Sequence, residues 1–361
     1  MLKRIPTFLK RVFLIVASLL IVAAIVLSIV SRGIIDTSNP VGLIDASYVD
    51  EKRSRELNLY IWYPTDVTEN IELFDDNIVF RGFSAIHDAP IAEGAHPLIV
   101  FSHGSGGNRT NQGWLAVELA RQGAVVVAAN HPGSTSRDSA PATNILTWNR
   151  PADISFLIDS LLDDPEVAPH IDPSRIAVVG HSLGGYTALA VGGAELSLDQ
   201  FIDYCAQFPD NPDCAFYRSG NVDLTQVDRE NFERANRDER VLAVVALDPA
   251  YASSFTPESL EAMVPTLLIA PPASTENSLG NLQVDSLAEE LTLEEQYVEM
   301  PGAYHFTYLP ECKVLGFYVL MAVEEGGELL CWREDGQSRA DYHDITTLEI
   351  VNFLQAQEIL T

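Results

Sequence analysis

Ser182 is the residue of this sequence best placed for nucleophilic chemistry, because it lies at the centre of the GHSLG sequence at residues 180–184. An apolar run at residues 176–179 precedes this pentapeptide, and an Ala- and Leu-rich stretch at residues 183–192 follows it. A strand, a sharp glycine-flanked turn and a helix would expose the hydroxyl oxygen at the positive end of the helix. The pattern therefore predicts Ser182 as a nucleophile.

A serine hydroxyl needs a base to accept its proton, and the base needs an acid to orient it. Behind such a turn the chain order is serine, then acid, then histidine. His305 follows the strand-like residues 296–300, and we predict that it is the general base and acid. The other histidine of this region, His343, lies at the start of a predicted C-terminal helix, where capping or packing explains it better.

Two acids compete for the orienting role. Asp248 directly follows the apolar run at residues 241–247, so its carboxylate should emerge at the carboxyl edge of a sheet, where sites of α/β proteins lie. Glu276 follows the next apolar run, at residues 266–270, but lies farther from the end of that run. We predict Asp248 as the orienting acid, with Glu276 as its rival.

An oxyanion formed during acyl transfer requires two backbone N–H donors. The residue after the nucleophile, Leu183, should supply one, and Ser105 in the glycine-rich SHGSGG loop at residues 102–107 should supply the other. His103 and His181 are expected to orient loops through hydrogen bonds rather than to titrate in catalysis. His131, which closes the next apolar run, is a candidate for lining the pocket.

The elements that must position these residues alternate along the chain. Runs typical of buried strands lie at residues 55–63, 98–101, 124–129, 176–179, 241–247, 266–270 and 296–300. Helix-like stretches lie at residues 111–122, 152–162, 183–192, 285–293 and 344–359. This alternation predicts right-handed crossovers and a doubly wound sheet. Residues 194–240 are polar and interrupt the alternation, so they are predicted to form an inserted cap. Phe201, Tyr204 or Phe208 of this cap could line a pocket, although core packing explains any one of them better.

The four cysteines form two local pairs, 9 and 19 residues apart. Four cysteines allow three pairings, and we favour Cys205–Cys214 and Cys312–Cys331. Free buried thiols are the alternative to these bridges, and a metal site is a further one, although no CxxC or histidine-rich spacing supports it.

The N-terminus predicts a membrane signal. Residues 12–30 are uncharged and dominated by aliphatic side chains, and four basic residues precede them. A run of this length can span a bilayer as an uncleaved anchor, and the positive-inside rule would place residues 33–361 outside the cytoplasm. A cleaved signal peptide is the alternative. We therefore divide the chain into a leader at 1–32, a linker at 33–40 and a catalytic domain at 41–361, either membrane-anchored or secreted.

Charge excludes one class of partner. The chain carries a formal net charge of −29, although its first 32 residues contain five basic and no acidic side chains. Nucleic acid would be repelled by such a surface, so it is not an expected partner.

Several stretches together resemble the α/β-hydrolase superfamily, and more narrowly the exported bacterial predicted dienelactone hydrolases and the plasma-type platelet-activating factor acetylhydrolases. They are residues 57–64 (LNLYIWYP), 101–107 (FSHGSGG), 130–133 (NHPG), 150–153 (RPAD), 180–185 (GHSLGG), 247–250 (LDPA) and 302–306 (GAYHF). The resemblance implies a mostly parallel, eight-stranded-type sheet flanked by helices. It also supports Asp248 as the acid, and a bridge between Cys312 and Cys331. Dienelactone hydrolases proper use a cysteine nucleophile, so Ser182 departs from them and the lactone substrate is not inherited.

These observations predict a serine hydrolase that cleaves carboxylic esters and requires neither metal nor organic cofactor. Alternatives are a lipase or phospholipase acting on membrane lipids, a peptidase or thioesterase with the same residues, and a catalytically silent binding domain. Fold alone does not choose among them.

Overall fold

The computed structural model describes residues 33–272, 284–291, 296–323, 326–332 and 336–361, together with the single residues Phe8 and Ser18. Glu276 lies outside the described residues, as does the predicted span at residues 12–30 apart from Ser18. Within the described ranges, no helix combines the length and the apolar character that crossing a membrane requires.

Twelve strands are present in the described part of the chain. They are β1 (Val41–Asp50), β2 (Arg55–Pro64), β3 (Glu72–Phe74), β4 (Phe83–His87), β5 (His96–Ser102), β6 (Val125–Ala129), β7 (Ser134–Thr135), β8 (Asp138–Ser139), β9 (Ile171–His181), β10 (Val241–Leu247), β11 (Thr266–Ala270) and β12 (Tyr297–Glu299). Ten of them form one sheet in the order β12-β11-β10-β9-β5-β6-β2-β1-β4-β3, and β7 pairs with β8.

Helices cover both faces of the sheet. They are α1 (Gly113–Arg121), α2 (Pro141–Asn144), α3 (Asn149–Asp163), α4 (Leu183–Gly192), α5 (Leu198–Gln207), α6 (Pro212–Ser219), α7 (Arg229–Phe232), α8 (Pro257–Leu260), α9 (Val284–Glu290), α10 (Gly316–Val323) and α11 (Arg339–Ala356). Single 3₁₀ turns lie at Ala168–His170, Leu224–Gln226, His305–Tyr308 and Gly327–Cys331.

The centre of the sheet is parallel, as predicted. Adjacent strands within the series β6-β5-β9-β10-β11-β12 are parallel to each other. Strand β2, on the other side of β6, is antiparallel both to β6 and to β1. All five residues of β6 are buried, because α3 and α4 cover one face of the sheet and α1 and α11 cover the other. The described sheet has ten strands, not eight, since β3 and β4 extend it beyond β1.

Sequence patterning located the central elements well. The helix predicted at residues 183–192 coincides with α4, and the strands predicted at residues 241–247 and 266–270 coincide with β10 and β11. The C-terminal helix α11 begins at Arg339, five residues before the predicted start, because Ser338 caps it by accepting a hydrogen bond from the N–H of Asp341. His343 therefore lies in the second turn of this helix.

Residues 194–240 lie between α4 and β10 and hold helices α5, α6 and α7. A disulfide bond joins Cys205 in α5 to Cys214 in α6, and a second one joins Cys312 to Cys331. Both pairings agree with the prediction. The first bridge holds α5 and α6 together on the side of the sheet where the candidate nucleophile lies.

Candidate active site

Ser182 occupies a strained turn between β9 and α4. Its backbone angles, φ 57° and ψ −121°, are rare for a residue with a Cβ atom. Glycine is required two residues before and two residues after Ser182. A Cβ atom at Gly180 would lie 1.9 Å from the carbonyl oxygen of Gly184, and one at Gly184 would lie 1.9 Å from the carbonyl oxygen of Ser102. The predicted strand–turn–helix arrangement is therefore present, and it places Ser182 directly before the amino end of α4.

The turn is bonded to the segment that follows β10. The N–H of Ser182 donates to the carbonyl oxygen of Leu247 at 2.9 Å, and the carbonyl oxygen of Ser182 accepts from the N–H of Ala250 at 3.0 Å. These two bonds place Asp248, which stands between Leu247 and Ala250 in sequence, beside the turn. Asp248 itself has a φ of 42°, which aspartate tolerates better than most residues.

His305 lies over the carboxyl edge of the sheet and contacts Asp248. Its Nδ1 atom is 2.6 Å from Oδ2 of Asp248, and Asp248 is 0% exposed. A buried carboxylate is costly unless it is hydrogen-bonded, and the Nδ1–H of His305 supplies such a bond. The structure thus brings together His305 and the acid favoured from the sequence.

Two further histidines hold the segment that carries His305. Nε2–H of His181 donates to the carbonyl oxygen of His305 at 2.8 Å. His343 stacks on Trp114 with ring centroids 3.7 Å apart, and its Nε2–H points to the carbonyl oxygens of Thr307 and Leu309 at 3.0 Å each. His343 is therefore an anchor of the His305–Tyr308 turn, in agreement with the packing role expected for it.

A cavity of about 380 Å³ opens above the turn, and Ser182 and His305 both line it. The two predicted oxyanion donors, Leu183 and Ser105, line it as well. A Cβ atom added to Gly104 would lie 3.2 Å from Cβ of Ser182, so the glycine-rich loop passes directly beside the candidate nucleophile. Hydrolysis of an acyl compound through a serine nucleophile uses such a grouping of nucleophile, base and backbone donors around one space.

Residues 99–313 match the alpha/beta hydrolase family, and this range includes Ser182, Asp248 and His305. The matched range covers more than half of the chain. The chain belongs to the alpha/beta hydrolase family.

Three known proteins illustrate how this hydrolase relates to others. A platelet-activating factor acetylhydrolase from Canis lupus familiaris is 29% identical over a match that covers 28% of this chain and 33% of the relative, so the match spans about a third of that protein's length. The structure of a ferulic acid esterase from Streptomyces cinnamoneus has a TM-score of 0.58 at 19% identity, covering 90% of this chain and 91% of the esterase. A dienelactone hydrolase from Anabaena variabilis has a TM-score of 0.45 at 15% identity, covering 86% and 98% of the two chains. The likeness to the ferulic acid esterase shows a shared fold.

The loop that carries Ser105 in this hydrolase rests on buried neutral histidines. His103 donates from Nδ1 to the carbonyl oxygen of Gly104 at 2.7 Å and accepts at Nε2 from the N–H of His131 at 3.1 Å. Burial lowers the pKa of His103 well below its ordinary value and that of His131 to about 4, so both rings are neutral near pH 7. These contacts orient the loop, which is the role that the sequence predicts for His103.

His131 does not line the cavity, contrary to the sequence-based suggestion. It is fully buried beneath the loop, where Nδ1 donates to Oδ2 of Asp153 at 2.9 Å and Nε2 accepts from Oγ of Ser102 at 3.0 Å. Phe201 is buried in the core and Tyr204 packs partly buried against it, in agreement with the packing role favoured for them. Phe208 is exposed. The cap instead contributes Phe216 and Tyr217 from α6 to the cavity lining.

Arg150, in the RPAD stretch at residues 150–153, makes buried contacts beside the candidate site that the sequence did not predict. Its buried guanidinium donates to Oγ1 of Thr187 at 3.1 Å, to Oγ of Ser134 at 2.6 Å and to Oγ of Ser102 at 3.2 Å, and also to the carbonyl oxygen of His103. One side chain thereby ties the glycine-rich loop to the helix that follows Ser182.

Substitution of Arg150 with lysine should weaken both the fold and the chemistry of this hydrolase. The ammonium group of lysine keeps the positive charge, but it cannot donate to the same four acceptors as the planar guanidinium of Arg150. We expect the free energy of unfolding to fall by about 2–4 kcal/mol, because buried hydrogen bonds to a charged group are lost. We expect kcat/KM for an ester to fall about 10- to 100-fold, because the donors to the oxyanion are displaced. Urea unfolding and steady-state kinetics would measure the two effects.

The matched control is Arg229→Lys, since Arg229 is an exposed arginine that pairs with Asp199 and Glu233. It should leave the unfolding midpoint and kcat/KM unchanged. If Arg150→Lys lowered stability alone and left kcat/KM at the wild-type value, Arg150 would not position the loop for catalysis.

Proposed function

We propose that this protein is a serine esterase that cleaves carboxylic esters through an acyl-serine intermediate. The observation that carries the proposal is Ser182 on a strained turn in one cavity with His305, whose Nδ1 is bonded to the buried Asp248. The names of two compared proteins, an acetylhydrolase and an esterase, also favour ester hydrolysis.

In the proposed acylation step, Nε2 of His305 accepts the hydroxyl proton of Ser182 while Oγ attacks the ester carbonyl. Asp248 keeps Nδ1 of His305 protonated and stabilises the imidazolium that forms. The negative charge on the carbonyl oxygen is met by the N–H groups of Leu183 and Ser105. The imidazolium of His305 then protonates the departing alcohol, which leaves the acyl group on Ser182.

In the second half of the reaction, His305 removes a proton from a water molecule, which attacks the acyl-serine carbonyl. The same two N–H groups stabilise the second oxyanion, and the proton returned by His305 releases Ser182 as the carboxylic acid departs. Every proton is carried by His305, so the proposed reaction needs only residues that lie in or beside the cavity.

The proposal is tested by labelling the protein with a fluorophosphonate and by assaying p-nitrophenyl esters of increasing acyl length. A cavity of about 380 Å³ lies near the lower end of the range of small-molecule sites, about 300–1,000 Å³. We therefore expect labelling at Ser182 and the highest kcat/KM for short acyl chains, with a decline of about tenfold or more from butyrate to palmitate. A protein that is neither labelled nor active on any of these esters would refute the esterase proposal.

A lipase acting on a lipid surface is the second candidate, because exposed apolar side chains cluster on and next to α10. Val314, Tyr318, Met321 and Val323 are all exposed, and Leu330, which follows this helix, lines the cavity. Activity that rises with acyl length, and rises sharply once the substrate forms an emulsion, would favour this candidate over the soluble-ester specificity.

The location of the domain remains a proposal drawn from the sequence. We propose that residues 12–30 anchor the chain in a membrane with the catalytic domain outside the cytoplasm, where disulfides persist. Fractionation of cells followed by protease treatment of intact cells or spheroplasts would test it. Recovery of the whole chain in the soluble cytoplasmic fraction would contradict it.

A further inference from the structure

One end of the cavity is built by the cap and carries an acidic side chain. Helix α6 contributes Pro212, Asp213, Phe216 and Tyr217 to the lining, and Asp213 is the cap residue with a carboxylate there. The described lining of this cavity contains no lysine or arginine. A substrate that enters therefore meets an acid without a basic partner on the cavity wall.

Asp213 is held in a defined position. Its N–H donates to Oδ1 of Asn211 at 3.1 Å, and its neighbour Cys214 is joined to Cys205 by a disulfide bond. Oδ2 of Asp213 accepts a hydrogen bond from the N–H of Tyr251 at 3.3 Å. The side chain is thus fixed to the loop that follows Asp248, close to the candidate catalytic residues.

Aromatic residues share the cavity lining with this carboxylate. Phe216 and Tyr217 lie edge to face with ring centroids 5.3 Å apart, and the hydroxyl of Tyr217 is hydrogen-bonded to that of Tyr251. Phe216, Tyr217 and Tyr251 all line the cavity. A cavity lined by a carboxylate and aromatic side chains is suited to a cation, and above all to a quaternary ammonium group, which aromatic rings attract through their quadrupoles.

Burial disfavours the ionised form of Asp213. Burial raises the pKa of Asp213, and the nearby Asp248 adds to this, whereas the bond from Tyr251 and the proximity of His305 oppose it. A cation bound beside Asp213 would offset the cost of burying its ionised form.

We propose that Asp213, with Phe216, Tyr217 and Tyr251, makes this cavity selective for esters that carry a cationic ammonium group near the scissile bond, over their uncharged and anionic counterparts. This inference rests on the proposed ester hydrolysis. It concerns small cationic esters whose ammonium group is separated from the ester by only two or three atoms, so that both groups fit within one cavity.

The test compares butyrylcholine with 3,3-dimethylbutyl butyrate, in which a carbon atom replaces the charged nitrogen without changing the shape. For the wild type we expect kcat/KM to be about tenfold or more higher for the cation. In Asp213→Asn this ratio should fall at least fivefold, because the cation loses its charged partner; any change that affects both esters alike cancels from the ratio. The matched control is Asp210→Asn in the same cap, because the side chain of Asp210 is 93% exposed and its loss changes the net charge equally.

A second measurement uses the unaltered protein and needs no variant. Choline and 3,3-dimethylbutan-1-ol, each titrated over the same range of concentrations, should differ in their protection of Ser182 against a fluorophosphonate, with half-protection by choline at a concentration about tenfold lower.

The outcomes separate the two proposals. Hydrolysis of p-nitrophenyl butyrate with an unchanged ratio in Asp213→Asn, or equal protection by the two alcohols, would overturn the charge selectivity alone. A protein that hydrolyses none of the esters would overturn the proposed function and the selectivity with it. A ratio lost in both Asp213→Asn and Asp210→Asn would assign the preference to net charge and so overturn the role of Asp213.

Discussion

Replacing Ser182 with alanine is expected to lower kcat for p-nitrophenyl butyrate by about 10⁵-fold or more, since the loss of a serine nucleophile leaves only oriented binding and the oxyanion donors. Alanine retains a Cβ atom, and therefore the strained backbone at φ 57° is no harder to form than with serine. The free energy of unfolding should consequently remain near the wild-type value. Kinetics with active-site titration, together with fluorophosphonate labelling detected by mass spectrometry, would measure the effect.

The control for this prediction is Ser174→Ala, at the other end of the same strand. Ser174 is exposed, and its hydroxyl bonds only to Oδ1 of Asp172 among the described contacts. We expect the Ser174→Ala variant to be labelled at Ser182 and to turn over substrate as the wild type does. Persistent hydrolysis in Ser182→Ala, with the wild-type dependence on substrate, would mean that another group attacks the ester.

Replacing Asp248 with asparagine is expected to lower kcat by about 10⁴-fold, the size of effect that follows when the acid of a serine hydrolase is neutralised. The fully buried carboxylate accepts the Nδ1 proton of His305 at 2.6 Å. An amide would turn its NH₂ group toward Nδ1 and favour the wrong tautomer, and it could not stabilise the imidazolium. The drop should appear in kcat more than in KM, because Asp248 is fully buried and does not line the cavity.

Glu276→Gln is the matched comparison, because Glu276 is the acid that the sequence offered as a rival. We expect its kcat and KM to equal those of the wild type. Full activity in Asp248→Asn combined with a large loss in Glu276→Gln would show that the later acid orients His305. Moderate losses in both variants would indicate that the two carboxylates share the role.

The residues that could be predicted from the sequence are those whose signals are local. The turn at Ser182 could be predicted because its geometry demands glycine at two positions. A Cβ atom at Gly180 would collide with the backbone of Gly184, and one at Gly184 would collide with the backbone of Ser102 on the adjacent strand. Strands β10 and β11 were readable because they are buried on both faces, which leaves continuous apolar runs. Strand β1 was missed because its outer half alternates between exposed and partly buried residues and includes polar side chains.

The residues that could not be predicted act across long stretches of chain. Arg150 reaches Ser102, Ser134 and Thr187, which are 48, 16 and 37 residues away. Asp213 faces the cavity because a disulfide bond and a contact with Tyr251 place the cap over the sheet edge. No periodicity in residues 194–240 indicates which of their side chains point toward Ser182.

The sequence by itself thus determined the fold class, the turn that presents Ser182 and the strand end that presents Asp248, because hydrophobic period and steric demand act between near neighbours. Only the tertiary structure decided which acid meets His305, 57 residues farther along the chain, and which cap residue enters the cavity. Those contacts depend on the strand order β12-β11-β10-β9-β5, because this order determines which strands have their carboxyl ends side by side. Strand order arises from the packing of the whole sheet, so a local stretch of residues does not encode it.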